Sequence, residues 1–240
     1  MAEYNIKKKK AWFEALKGIM KIKYKEPHFI YLGEEITNSG IILSNHEGTD
    51  APMSLEIYSN KPLRFWGASE MNSGLIPMYK YQSEVYYHEK KHWNIVLAKL
   101  FCIIASPLTN LFYSGFDLIS TYRDARFIKT VRESKDALKN GYNIVILPEV
   151  SEDGYQRTLQ GFHEGFALFA QTCLKSGMDP KVFVSYYNKS INTYVIDEGI
   201  PCSVLFEKYK ERDALANALC QRCNELGELS YNEEFIKSKL

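Results

Sequence analysis

A chain of 240 residues with 45% apolar side chains holds enough material to bury a sizeable core, which excludes a disordered protein and suits one α/β-sized domain. The formal charge of +1 conceals an imbalance: residues 1–25 carry eight lysines against two glutamates, a local +6, and the remainder of the chain carries −5. A basic excess confined to one short segment without a nucleic-acid motif argues against a nucleic-acid partner, and five scattered cysteines (Cys102, Cys173, Cys202, Cys220, Cys223) argue against a disulfide framework and for a reducing, cytoplasmic compartment.

In chain order, Trp12, Phe13, Leu16, Ile19 and Met20 recur at helical spacing between Lys10 and Ile22, with lysines filling the other positions. Residues 1–25 therefore read as a basic amphipathic helix. It can pack its stripe on the domain core, or dock on an anionic membrane surface, where each nearby lysine adds about 1 kcal/mol. The two uses are compatible. Residues 26–240 read as one domain. In it "HFIYLG" and "GIILSN" are expected strands, Thr49–Tyr58 a helix, "LRFWGA" a strand, and about His92–Ala105 a helix.

The stretch Trp93–Tyr113 is the nearest approach to a membrane span, but Lys99 and Pro107 interrupt it, so a buried or interfacial helix is expected, and no signal-peptide core precedes it. "FDLIST" is the next expected strand, then a helix over Ala125–Asn140 closed by Gly141, then "YNIVILP", the most strand-like run of the chain. A helix over Gly161–Ser176, strands at "KVFVSYY", "TYVID" and "CSVLF", and a helix over Glu211–Leu226 complete the pattern. Strands interleaved with helices imply an α/β fold whose mostly parallel or mixed sheet is covered by helices on both faces.

Sites in such sheets gather beyond the carboxyl ends of strands. Two segments bring reactive groups there: "GIILSNHEGTD" delivers His46, and "NIVILPEVSEDG" delivers Pro148 and Glu149. If the helix begins slightly before Thr49, His46 and Asp50 share a face, and the carboxylate can orient the imidazole for proton abstraction. Alternatively Asp50 caps the helix and His46 makes a structural hydrogen bond. Glu149, at the end of so apolar a strand, needs a partner. Cys220-Gln-Arg-Cys223 lies in a helical pattern without a second ligand pair and reads as two reduced helix cysteines, and no metal site is expected.

Taken in order, "NHEGTDAP", "GFDLISTYRD", "NIVILPEVSEDGYQRTLQGFHEGFALFA" and "DPKVFVSYY" resemble the four motif blocks of the PlsC-like glycerolipid acyltransferases, the 1-acylglycerol-3-phosphate acyltransferase family, over roughly residues 40–190. The resemblance implies the family fold and an acyl chain moved from a coenzyme A or acyl-carrier-protein thioester to a lipid hydroxyl. No cofactor beyond that co-substrate is implied. His46 matches the base and Asp50 its orienting carboxylate. Arg123 matches the arginine that holds the acceptor phosphate, and Gly115, Pro148, Glu149 and Arg157 fall in the acceptor-binding blocks. A peripheral position at the inner face of the membrane goes with this reading. The chain departs from the family pattern in having Asp50 four rather than five residues after His46, Gly48 where a serine is usual, and Glu152 where a cation is usual. Those departures keep two alternatives open: an acceptor without a phosphate, and a relative that binds lipid or a protein partner without turnover.

Overall fold

The computed structural model describes residues 6–37, 39–150 and 156–239. Every side chain of β2 (Ile41–Ser44) and β5 (Asn143–Ile146) is buried, and two such strands side by side belong at the centre of a sheet covered on both faces. β2 also pairs in parallel with β6 (Lys181–Asn188), and β5 with β3 (Leu63–Ala68), which pairs in parallel with β4 (Ile119–Thr121). β7 (Thr193–Ile196) runs antiparallel to β6 and parallel to the outer β1 (His28–Tyr31). Among the described residues the sheet has eight strands in the order β1-β7-β6-β2-β5-β3-β4, with β8 (Ile200–Pro201) antiparallel to β6. The fold is thus α/β with a mixed, mostly parallel sheet.

Alternation along each strand divides the core. Ile41, Leu43, Ile144 and Ile146 face the layer of α5 (Phe127–Lys139), α6 (Gly165–Lys175) and α8 (Arg212–Ser230), while Ile42 and Val145 face α1 (Ala11–Met20) and α2 (Asp50–Tyr58). A 3₁₀ turn at Ser69–Asn72, α3 (Leu75–Lys80) and a π-helical segment (Tyr81–Lys90) lead to α4 (Ile95–Phe116). Within α4, Ala98, Cys102 and Ser106 pack inward at four-residue spacing, and Ser106 Oγ donates to Gln82 Oε1 at 2.7 Å. Its opposite face stands outward. The chain closes with α7 (Cys202–Lys208) and α9 (Glu233–Lys239).

Two expectations are corrected. "CSVLF" is the helix α7, because Asp179 lies at its start and accepts from both the peptide N–H and the hydroxyl of Ser203, supplying the helix with an end partner. The helix expected to stop at Ala105 runs on through Pro107 to Phe116, since Pro107 lies on the outward face, and Asp117 ends it in the left-handed region at φ 60°. Phe116 belongs to that helix rather than to a strand.

Candidate active site

Because β2, β5, β3 and β4 are parallel, their carboxyl ends lie at one edge, and the residues following them meet there. A cavity of about 780 Å³ opens at that edge. His46 reaches it from β2, Pro148 from β5 and Arg123 from β4; the walls between are Phe65, Trp66, Met53, Met71, Phe116 and Leu118. Three residues separated by as many as 102 positions thus share one mostly apolar chamber.

Local bonding explains why His46 sits where it does. Asn45 prolongs the β2–β6 ladder with its side chain, Nδ2 donating to Tyr187 O at 3.1 Å and Oδ1 accepting from Tyr187 N at 2.7 Å. The His46 carbonyl accepts from Gly48 N at 2.9 Å, and Gly48 has φ 62°, a conformation a glycine adopts without penalty. The peptide N–H of His46 donates to Glu149 Oε2 at 2.8 Å. α2 then begins at Asp50, with its first turn held by Tyr194, whose hydroxyl donates to Ala51 O at 2.5 Å.

Burial, and after it the charge of Lys90, lower the His46 pKa to about 4, so the imidazole is neutral at neutral pH and able to accept a proton. Burial pushes the Glu149 carboxyl up to about 7, against the lowering effect of the His46 and Gln156 peptide N–H groups. The two contributions to stability have opposite pH senses. That of His46, depressed from 6.5, is present above pH 6.5 and lost as pH falls through about 4. That of Glu149, raised from 4.5, is present below pH 4.5 and lost as pH rises through about 7.

The other expected site residues take different places. Asp50 is not among the cavity's lining residues, and its Oδ2 lies 2.7 Å from Lys189 Nζ. Glu149, 8% exposed, stands behind His46 rather than in the cavity wall. Arg157 lies away from the chamber, its guanidinium 3.4 Å from the ring centroid of Tyr231. Gly115 is buried in α4, where an added Cβ would come within 2.3 Å of the Phe13 ring; its bareness makes room for α1, not for a ligand. Glu152 and Ser151 lie outside the described residues.

Sequence reasoning passed over a second group of lining residues: Tyr81, Tyr86, Tyr87 and Lys90 from the π-helical segment, Tyr113 from α4, and His163. π-helical turns are uncommon and concentrate at functional sites, and here the segment presents its tyrosines and Lys90 to the same chamber as His46. Only the density of tyrosine in "YQSEVYYHEK" could have drawn attention to it. Lys90 and Arg123 are exposed cations of the lining and make no ion pair among the described residues. Cys220 and Cys223 are buried on α8, and burial raises both thiols, that of Cys220 to about 11, so neither is a ready nucleophile. No family model and no curated protein matches the chain.

Proposed function

We propose that the protein is an acyltransferase that moves a fatty acyl group from a coenzyme A or acyl-carrier-protein thioester to a hydroxyl of a lysophospholipid or related glycerolipid, with His46 as general base. One observation carries the reading: His46, Arg123 and Pro148, drawn from three separate motif blocks, line a single chamber whose walls suit an acyl chain. In this reaction neutral His46 takes the acceptor's hydroxyl proton as its oxygen attacks the thioester carbonyl. The tetrahedral intermediate collapses with loss of the thiolate, which takes the proton back from the imidazolium. Arg123 and Lys90, both lining the chamber, give an anionic headgroup its counter-charge. No step needs a metal or redox group. The direct assay is release of free thiol from a long-chain acyl-CoA upon adding lysolipid; absence of acceptor-dependent release across lysophosphatidic acid, other lysophospholipids and monoacylglycerol overturns the proposal.

A lipid surface fits the outside of the molecule. α4 exposes Leu97, Leu100, Ile103, Ile104 and Leu108, each 58–73% accessible, and Trp93, Tyr87 and Phe101 cluster at its start with ring centroids 4.8–5.5 Å apart. By length and composition α4 could cross a membrane. Because its inner face packs on the domain and Phe116 lies in the core, the reading is of a helix lying along the surface. Ile19 and Ile22 also point outward, Lys21, Lys23 and Lys25 are exposed beside them in the chain, and Lys8 and Lys10 are exposed before the start of α1; such lysines suit anionic headgroups at the inner face of a cytoplasmic membrane. Changing Leu100, Ile104 and Leu108 together to serine should weaken binding to anionic vesicles by about tenfold or more, as read by sedimentation. Added salt should weaken the remaining lysine-driven part.

A second reading, a lipid-binding relative without turnover, draws on one fact: Asp50 commits a carboxylate oxygen to Lys189. Lysolipid binding without thiol release favours it.

A further inference from the structure

Two side chains prolong the central sheet past the end of β2. The β2–β6 ladder closes at Ser44–Ser185, and Asn45 carries it one step further by bonding both peptide groups of Tyr187. The β2–β5 ladder closes earlier, at Leu43–Ile146, after which β5 gives way to Leu147 and Pro148. On that side the peptide of His46 meets a side chain instead. Glu149 Oε2 accepts its N–H at 2.8 Å.

We propose that Glu149 is a positioning residue of the site, whose carboxylate clamps the His46 peptide and so ties the turn carrying the base to the loop after β5. The proposal rests on the acyl-transfer reading for its kinetic consequence and departs from the acceptor-binding role that the sequence resemblance implies. Geometry favours the clamp over acceptor contact on three counts. Glu149 is 8% exposed, it is not among the residues lining the chamber, and an oxygen of its carboxylate is already spent on the His46 N–H. Its own backbone is fixed: Glu149 forms an antiparallel bridge with Phe162, Val150 N donates to Gly161 O at 2.9 Å, and His163 N donates to Pro148 O at 2.7 Å. A carboxylate on so rigid a mount can set the position of its partner rather than follow it.

The clamp also carries a titration. Among the described residues, the groups that face Glu149 are His46 and Glu47 from the turn after β2, Lys90 from the π-helical segment, and the buried thiols of Cys220 and Cys223 from α8. Burial, and after it Glu47, oppose ionisation, and the two peptide N–H groups and Lys90 favour it, leaving the carboxyl at about 7. Protonated Glu149 keeps a carbonyl acceptor but loses the charge-assisted bond, so the clamp loosens as pH falls through that value. A glutamine there reproduces the loosened state at every pH.

Two measurements on the full chain test the idea. In a ¹H–¹⁵N spectrum the His46 amide should shift with a midpoint near pH 7 in the wild type, and that inflection should vanish in Glu149→Gln. In the acyl-transfer assay, Glu149→Ala should lower kcat about 100-fold with little change in KM for the acceptor, the scale expected when a base is misplaced by about 1 Å. Glu149→Gln should recover to within about tenfold of wild type and lose the step near pH 7. The proposal is overturned if the His46 amide shows no pH inflection that Glu149→Gln removes, or if Glu149→Ala raises KM while sparing kcat. The spectrum decides even if Glu149→Ala does not fold or no acyl transfer is found, so failure of the catalytic reading and failure of the clamp are told apart.

Discussion

Replacing His46 by alanine should lower kcat for acyl transfer by about 10²–10⁴-fold, the range a positioned general base contributes, while the far-ultraviolet dichroism stays that of the wild type. The fold should survive because the bonds from the His46 peptide N–H to Glu149, between Asn45 and Tyr187, and from Gly48 N to the His46 carbonyl do not involve the imidazole. Undiminished transfer in the folded variant would remove His46 from the mechanism. The pH profile carries a second check. With its pKa lowered to about 4, His46 stays neutral far below the 6.5 of an unperturbed imidazole, so protonation of the base itself should cut activity only near pH 4. Removing the Lys90 charge by Lys90→Gln takes away one of the two lowering causes, and that limb should move upward. A base so depressed is a weak one in the empty site. An anionic acceptor beside Lys90 would oppose the charge of the lysine and strengthen the base as it binds, so in the wild type the acid limb should lie at higher pH with an anionic acceptor than with a neutral one.

The central strands were legible in the sequence because burial on both faces leaves an unbroken apolar run. "LRFWGA" was located to the residue, and β2 and β5 to within two. What failed was decided at a distance. Apolar composition makes "CSVLF" look like a strand, yet Asp179, 24 residues before Ser203, supplies the end partner of a helix. Periodicity of 3.6 residues cannot find a π-helical segment, and that segment supplies Lys90 and three tyrosines of the chamber. The candidate site was legible to the same extent. Arg123 and Pro148 reach the chamber with His46 because each directly follows a parallel strand. Arg157 lies away from the chamber against Tyr231 near the C-terminus, and Asp50 pairs with Lys189 after β6, two contacts that spacing cannot reveal. Gly115 looked like part of a binding block, but its role was set by the arrival of Phe13 from α1.

The largest effect on stability should come from Glu56. Its side chain is 3% exposed at the junction of α1 and α2, with Oε1 2.6 Å from Lys9 Nζ and 3.3 Å from Lys17 Nζ; Lys9 also donates to Phe116 O at 3.2 Å. Burial raises the Glu56 carboxyl and lowers the Lys9 ammonium even in each other's presence, which marks desolvation as the dominant cost for both charges. Such a pair adds little net stability, but breaking it strands a charge. Glu56→Ala should therefore cost about 3–5 kcal/mol in urea unfolding, through Lys9 more than through Lys17, because Lys17 keeps a second carboxylate, Glu14, at 3.0 Å. Joining Lys9→Met to Glu56→Leu removes both charges and keeps apolar bulk beside Phe13 and Phe116, over whose rings the Lys9 ammonium now lies at 5.3 and 5.4 Å. The double variant should recover most of the loss or exceed the wild type. Equal destabilisation in the single and double variants would mean that the pair itself contributes the stability. Phe116 connects this cluster to the site, since it lines the chamber and also closes α4. The single variant should thus loosen the attachment of α1 and the chamber wall together, and the double variant should restore both.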